Sequence, residues 1–148
     1  MAKTQYIVFA ASSARTTTGN SGAIRLPEDC SAIQFIADIN GTPTGTSPTL
    51  DICIETTNDE GTTWFGASRF TQITAAAERF LTQPLFGQNV VGTEGVTEAN
   101  WEMAEAALTG GALVQPIVPP THLRTVWTIG GTNPSFTFTL TAAAVSPK

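Results

Sequence analysis

His122–Val145 reads HLRTVWTIGGTNPSFTFTLTAAAV, and this stretch decides the fold. Its first half alternates Leu123, Thr125, Trp127 and Ile129 against Arg124, Val126 and Thr128. Its second half alternates Phe136, Phe138 and Leu140 with Thr137, Thr139 and Thr141. A period of two is the mark of strands with one buried and one exposed face. Between the halves lies Gly130-Gly131-Thr132-Asn133-Pro134, and Gly and Asn tolerate the positive φ that turns require. The expectation is a meander of strand, turn and strand, with an apolar face and a Thr-coated face.

The same period recurs upstream. In Ser31–Thr42, Ile33, Phe35, Ala37 and Ile39 share one face, and Asn40-Gly41 ends the run. In Thr49–Thr57, Leu50, Ile52 and Ile54 point inward, while Asp51, Cys53 and Glu55 point outward or toward a second surface. Leu50–Thr57 and Thr62–Thr74 flank Asn58-Asp59-Glu60-Gly61, which predicts a hairpin with a four-residue loop. Apolar residues of both parities in Tyr6–Ala11 predict a first strand covered on both faces. The Gly, Pro and Thr of Gly41–Thr49 predict an exposed loop. One helix is expected over 97–109, with Thr97 as N-cap, a Val96–Trp101 staple and Gly110-Gly111 as the stop. The sum is an all-β, two-sheet antiparallel β-sandwich, jelly-roll or immunoglobulin-like, with about 7–8 strands and that one helix.

Composition narrows the function. The 148 residues fit one domain over 1–148, with 1–13 as an N-terminal strand or arm. Hydrophobic residues make up 41%, enough for a core, and charged residues only 13% against roughly 25% in average proteins. The formal net charge is -5; lysine occurs only at positions 3 and 148, and the five arginines form no run. Nucleic-acid binding depends on clustered cations, so it is not expected. The apolar run Tyr6–Ala11 is shorter than a signal-peptide core, and nothing approaches the ~20 apolar residues of a membrane span, so use without export and without a membrane is expected. Cys30 and Cys53 are too few for a disulfide framework and read as buried thiols, with a single disulfide left open.

Chemistry-bearing patterns are sparse. His122 is the one histidine, and a lone histidine at a strand entry reads as a surface or turn residue rather than as the base of a triad. Asp51, Glu55, Asp59 and Glu60 lie close in sequence, but a solvated strand face and a turn account for them. No metal-ligand spacing and no cofactor motif occur, so neither metal nor cofactor is expected and the chain is read as a non-enzyme. Thr57-x-Asp59-x-Gly61-x-Thr63-Trp64 resembles the Asp-box of sialidase propellers. Each residue type has a structural role in a turn: Asp59 accepts backbone N–H bonds, Gly61 supplies positive φ and Trp64 folds over the hairpin. A single copy cannot make a propeller of several blades.

Two stretches together, Leu50–Thr74 and His122–Ala142, resemble segments of tailed-bacteriophage head decoration (cement) proteins. The resemblance rests on the strand–turn–strand around Thr62-Thr63-Trp64, and on Leu123-Arg124-Thr125-Val126-Trp127-Thr128 running to Pro134-Ser135-Phe136-Thr137-Phe138. It implies a structural protein of the outer virion surface that clamps the major capsid protein and forms a homo-oligomer, with a trimer favoured. A Thr-rich, Lys-poor, mildly acidic surface agrees with that setting. The resemblance does not assign capsid-contacting residues; the arm Met1–Ser13 is the candidate, since terminal strands add to sheet edges. The competing reading is a carbohydrate- or receptor-binding module of a tail or fibre, using Trp64, Phe65 and Trp101 as a stacking platform. A connector or tail-tube protein is the third.

Overall fold

A computed structural model of the chain describes residues 3–57, 59–74, 79–82, 85–86, 113–114, 116–117 and 120–147. The fold is all-β, and the described residues contain no helix. The strands are β1 (Lys3–Arg15), β2 (Gly19–Asn20), β3 (Ile24–Arg25), β4 (Ala32–Ile39), β5 (Thr44–Thr57), β6 (Phe65–Arg69), β7 (Arg79–Thr82), β8 (Leu85–Phe86), β9 (Leu113–Val114), β10 (Pro116–Ile117) and β11 (His122–Ser146). The helix expected over 97–109 lies outside the described residues.

The expected C-terminal meander is instead one strand. β11 runs 25 residues, and its two halves do not pair with each other. Its first half pairs with β5 from His122↔Thr57 to Ser135↔Thr44. Its second half lies between β4 (Val145↔Ala32 to Phe138↔Ile39) and β1 (Ser146↔Lys3 to Phe136↔Arg15). The turn-forming residues do adopt positive φ, at Gly131 (110°) and Asn133 (48°). They meet Gly45 (106°) and Ser47 (49°) on β5, and the register shifts between Gly130 and Thr132 and again between Thr132 and Ser135. The left-handed residues thus make facing bulges that bend two strands together, where a hairpin would have reversed one. The backbones touch there: a Cβ on Gly131 would lie 2.7 Å from the Ser47 carbonyl oxygen, and one on Gly45 would lie 2.6 Å from that of Asn133.

The bulges also change which residues face inward. Odd positions Leu123, Thr125 and Trp127 are buried before them, and even positions Phe136, Phe138, Leu140, Ala142 and Ala144 after them. The bent strand therefore shows its apolar side to one core from both halves. Nine strands join through β11 in one sheet, along the path β7–β4–β11–β5–β6–β9 with β1, β2 and β3 also paired to β11. These pairs are antiparallel; the separate β8–β10 pair is parallel. Ile33, Phe35, Ala37 and Ile39 of β4 meet Leu50, Ile52 and Ile54 of β5 in a single cluster with Phe136, Phe138 and Trp127. The sheet nearly closes into a barrel around that cluster.

The inward residues of β4 and β5 and the β5–β6 hairpin are as the sequence predicts. Two local expectations change. Gly41–Thr49 is mostly exposed, but β5 already begins at Thr44, drawn into pairing by the bulged part of β11. β1 is not covered on both faces: Ile7, Phe9 and Ala10 are buried, whereas Tyr6 is 80% exposed and Val8 59%. The mixed parity comes from a bulge, since the register shifts between Val8 and Ala10 and turns the adjacent Phe9 and Ala10 both inward. A second shift follows between Ala10 and Ser13. The Arg15 guanidinium serves this irregular end, donating to the carbonyls of Ala11 (2.8 Å), Ser13 (3.1 Å) and Phe138 (2.9 Å). It also lies 4.3 Å from the Phe138 ring centroid and 5.1 Å from that of Trp127. Burial there lowers the Arg15 pKa from its ordinary value.

The bulge contact is testable with paired substitutions. Gly131→Ala combines an unfavourable φ with a backbone collision and should cost about 3 kcal/mol; Gly41→Ala, at φ 100° with nothing within 4 Å, should cost about 1 kcal/mol. Urea unfolding of both variants measures the difference, and equal losses would mean that the crossing is not close-packed.

Candidate functional site

The hairpin between β5 and β6 holds the residues singled out in the sequence. Thr57 Oγ1 donates to Asp59 Oδ1 at 2.6 Å and accepts from the backbone N–H of Gly61 at 3.0 Å. Asp59 Oδ1 also accepts from the N–H groups of Thr62 (3.1 Å) and Thr63 (2.8 Å). Trp64 Nε1 donates to the Gly61 carbonyl at 3.0 Å, which folds the indole back over the turn. Gly61 sits at φ 97°, a conformation few other residues adopt. These bonds favour the ionised carboxylate. The Thr57 hydroxyl foremost, then Thr63 and Thr62, lower the Asp59 pKa from 3.8 to about 2. Among the described residues the donors to Asp59 Oδ1 are Thr57, Thr62 and Thr63, all of the turn itself, so this carboxylate shapes the hairpin.

The second part of the site was not foreseen. Glu55 was expected on a solvated face, but it is only 3% exposed and its Oε2 accepts from Arg124 Nε at 2.5 Å. The Arg124 guanidinium lies 4.3 Å from the Trp64 ring centroid. Arg124↔Glu55 are directly opposed on β11 and β5, so the ladder itself sets the ion pair. Cys53, on the same side of β5, is 1% exposed, and Thr57 is buried as well. The outward face of β5 is therefore a second buried surface, the less obvious of the two outcomes that its alternation left open.

The remaining candidates are dispersed. Asp51 accepts both Nε2 bonds of Gln72, at 3.1 and 2.9 Å. Glu60 is exposed at the turn, at φ 59°. His122 Nδ1 lies 3.0 Å from Thr121 Oγ1, its neighbour in the chain. Cys30 and Cys53 are buried and not joined in a disulfide, and burial raises the Cys30 pKa, the reverse of what an activated nucleophile needs. An open cleft of about 590 Å³ runs beside Cys30, lined by Arg25, Glu28, Asp29, Pro120 and Pro147 among others. Arg25 and Glu28 approach to 3.6 Å at its rim, and no histidine lines it. Among the described residues no group of three His, Cys, Asp or Glu gathers to hold a metal. Of the proposed stacking platform, Trp64 is buried beneath Arg124, Phe65 is half-buried, and Trp101 lies outside the described residues.

One exposed feature does stand out. On the outer side of the β1–β11–β4–β7 half, the register aligns Val8↔Thr141, Thr141↔Ile36 and Ile36↔Leu81. Val8 is 59% and Leu81 58% exposed, with Ile36 half-buried between them. A neighbouring row runs Tyr6↔Ala143↔Gln34. A row that is apolar on three of its four strands, with Thr141 on β11 between Val8 and Ile36, thus faces solvent. Beside it, Arg79 pairs with Asp38 (Nε–Oδ1 2.6 Å), and that carboxylate raises the Arg79 pKa. The sequence does contain the signal for this row, since Ile36 and Leu81 are opposite in parity to the core residues of their strands, as Tyr6 and Val8 are to Ile7 and Phe9 before the β1 bulge; reading it requires the register. Comparison with protein-family models, with curated proteins and with solved structures returns no match.

Two outcomes follow for the hairpin. Because Asp59 is depressed in the fold, its contribution is fully present above pH 4 and is lost as pH falls through about 2. Asp59→Asn should remove that pH dependence, as followed by hydrogen exchange of the Thr62 and Thr63 amides. Arg124→Ala leaves Glu55 buried without its cation and should cost about 3–5 kcal/mol in chemical denaturation; a loss below 1 kcal/mol would mean that the pair does not hold β5 to β11.

Proposed function

We propose that this chain is a structural protein of a virion: it binds the outer surface of a capsid, clamps the major capsid protein and stabilises the head by binding alone. Within this proposal the fold is a two-sheet sandwich of jelly-roll or immunoglobulin-like type hinged on β11, and the working form on the shell is a small homo-oligomer. No chemistry, cofactor or nucleic acid enters the mechanism. A ligand that binds only the assembled shell shifts the equilibrium toward it by mass action.

The observation that carries the reading is the solvent-facing row Val8–Thr141–Ile36–Leu81, apolar at three of its four positions, on a charge-poor chain. Exposed apolar rows of this kind mark interaction surfaces. The row supports binding in general; the resemblance of Leu123–Phe138 to head decoration proteins supplies the partner. Hydroxyl-rich surroundings keep the unbound protein soluble without adding cations that would compete for packaged DNA.

The test is rebinding to capsids stripped of the protein. Wild type should rebind and raise the temperature at which the capsids break. Leu81→Glu should weaken rebinding at least about tenfold with unchanged melting, because it places a charge within the apolar contact. Asp59→Ala should lower stability and leave rebinding intact. Failure to bind capsids, together with binding to a glycan array, would overturn the reading in favour of a recognition module.

A further inference from the structure

The two edges of the β1–β11–β4–β7 half are built differently. β7 is four residues long and carries Arg79 in an ion pair, a short, charged edge of the kind that resists pairing. β1 is 13 residues long and uncharged from Thr4 to Ala14. Among the described residues β1 pairs with β11 alone, and Lys3–Tyr6 are all exposed. Its far end is blunted by register shifts after Val8 and after Ala10, but Lys3–Val8 pairs with Ser146–Thr141 without interruption. Along that regular segment no other described strand takes up the backbone N–H and C=O groups of the outer side.

We propose that Thr4–Val8 of β1 pairs with the same segment of a second copy of this chain, antiparallel about a two-fold axis at Tyr6. The occupant follows from the sequence of the edge. Centred at Tyr6, the pairing sets Tyr6 against the partner's Tyr6, Thr4 against the partner's Val8, and Gln5 against the partner's Ile7. Aromatic and β-branched residues thus meet on the exposed side, which are the favourable cross-strand pairs. Any other even register moves one copy's ladder into the other copy's bulges or shortens it. Charge selects the same edge. The chain carries a net charge of -5, yet β1 contains no carboxylate, so two acidic copies meet here without setting carboxylates against each other. Lys3 falls opposite the partner's Phe9, so no like charges are opposed within the ladder.

The contact is isologous and closes as a dimer, which departs from the trimer that the family resemblance implies. It joins the two β7–β4–β11–β1 runs into one continuous sheet of eight strands, twice four, and extends the solvent-facing row across both copies. A five-residue ladder is small beside interfaces that bury about 1,200–2,000 Å². The dimer is accordingly weak, with a Kd on the order of tens of micromolar.

Sedimentation velocity on the full chain across a concentration series tests it. Wild type should pass from monomer to dimer by about 100 µM. Tyr6→Asp should raise Kd at least about tenfold with unchanged melting, because it opposes two anions at the axis, while Tyr6→Phe should keep the dimer. Under mild oxidation Tyr6→Cys should cross-link to itself, and Ser12→Cys, beyond the bulges, should not; Cys30 and Cys53 are buried and do not interfere. A monomer at all concentrations, a dimer indifferent to Tyr6→Asp, or equal cross-linking from position 12 would each overturn the proposal. No capsid is present in these measurements. A strict monomer that rebinds capsids would sink the self-pairing and leave the proposed function standing, and a dimer that ignores capsids would do the reverse.

Discussion

The fold depends on one long strand being used twice. β11 supplies a partner to β5 with its first half and to β4 and β1 with its second. A straight strand cannot do this with a single core, because its apolar side would leave the core where the sheet bends away. The bulges at Gly131 and Asn133, matched by Gly45 and Ser47, supply the bend and the change of parity together. The close approach of the two backbones then explains why glycine occupies Gly45 and Gly131. Because β11 is the last strand, β1, β4 and β5 can complete their ladders only with residues far away in sequence: Lys3 pairs with Ser146, and Ala32 with Val145. Such long-range pairing predicts slow, strongly cooperative folding.

The parts legible in the sequence are those governed by local rules. The alternation in β4 and β5 identified inward residues correctly, because a period of two survives in any strand with one buried face. The β5–β6 hairpin was legible for a similar reason, since Thr57, Asp59 and Gly61 make their bonds within a few residues of one another. The region around Gly130–Pro134 was misread because left-handed residues serve a turn and a bulge equally well. Local composition does not distinguish them; what decides is whether a second strand, here Thr44–Thr49, offers matching bulges. The mixed parity of Tyr6–Ala11 misled in the same manner. A bulge that turns Phe9 and Ala10 both inward looks, in sequence alone, like a strand buried on both sides.

Glu55 illustrates a different limit. A carboxylate alternating with apolar residues ordinarily marks a solvated face, and its burial becomes intelligible only with Arg124 opposite, 69 residues away. That pairing gives a physical meaning to two sequence features that are separate in the chain. The Asp-box-like turn positions Trp64 through its bond to Gly61, Arg124 lies over the Trp64 ring, and Arg124 pairs with Glu55 on the strand leading into the same turn. The hairpin motif and the Leu123–Trp127 motif therefore form one structural unit, and neither has its full set of contacts without the other.

That unit bears on where function can reside. Of the carboxylates that sequence reasoning weighed as chemical groups, Asp51 is engaged by Gln72, Glu55 by Arg124, and Asp59 by its own turn. These three bonds hold strands and turns together, while Glu60 stands exposed at the tip of the hairpin. Among the described residues the exposed large apolar side chains lie on the other half of the molecule, where Tyr6, Val8 and Leu81 meet solvent. Among the described residues the β5–β6–β11 half therefore carries the hairpin and the Glu55–Arg124 pair, and the β1–β11–β4–β7 half carries the exposed Tyr6, Val8 and Leu81. The shared strand β11 joins the two, so that the conspicuous motif braces the same strand whose other half underlies the exposed row.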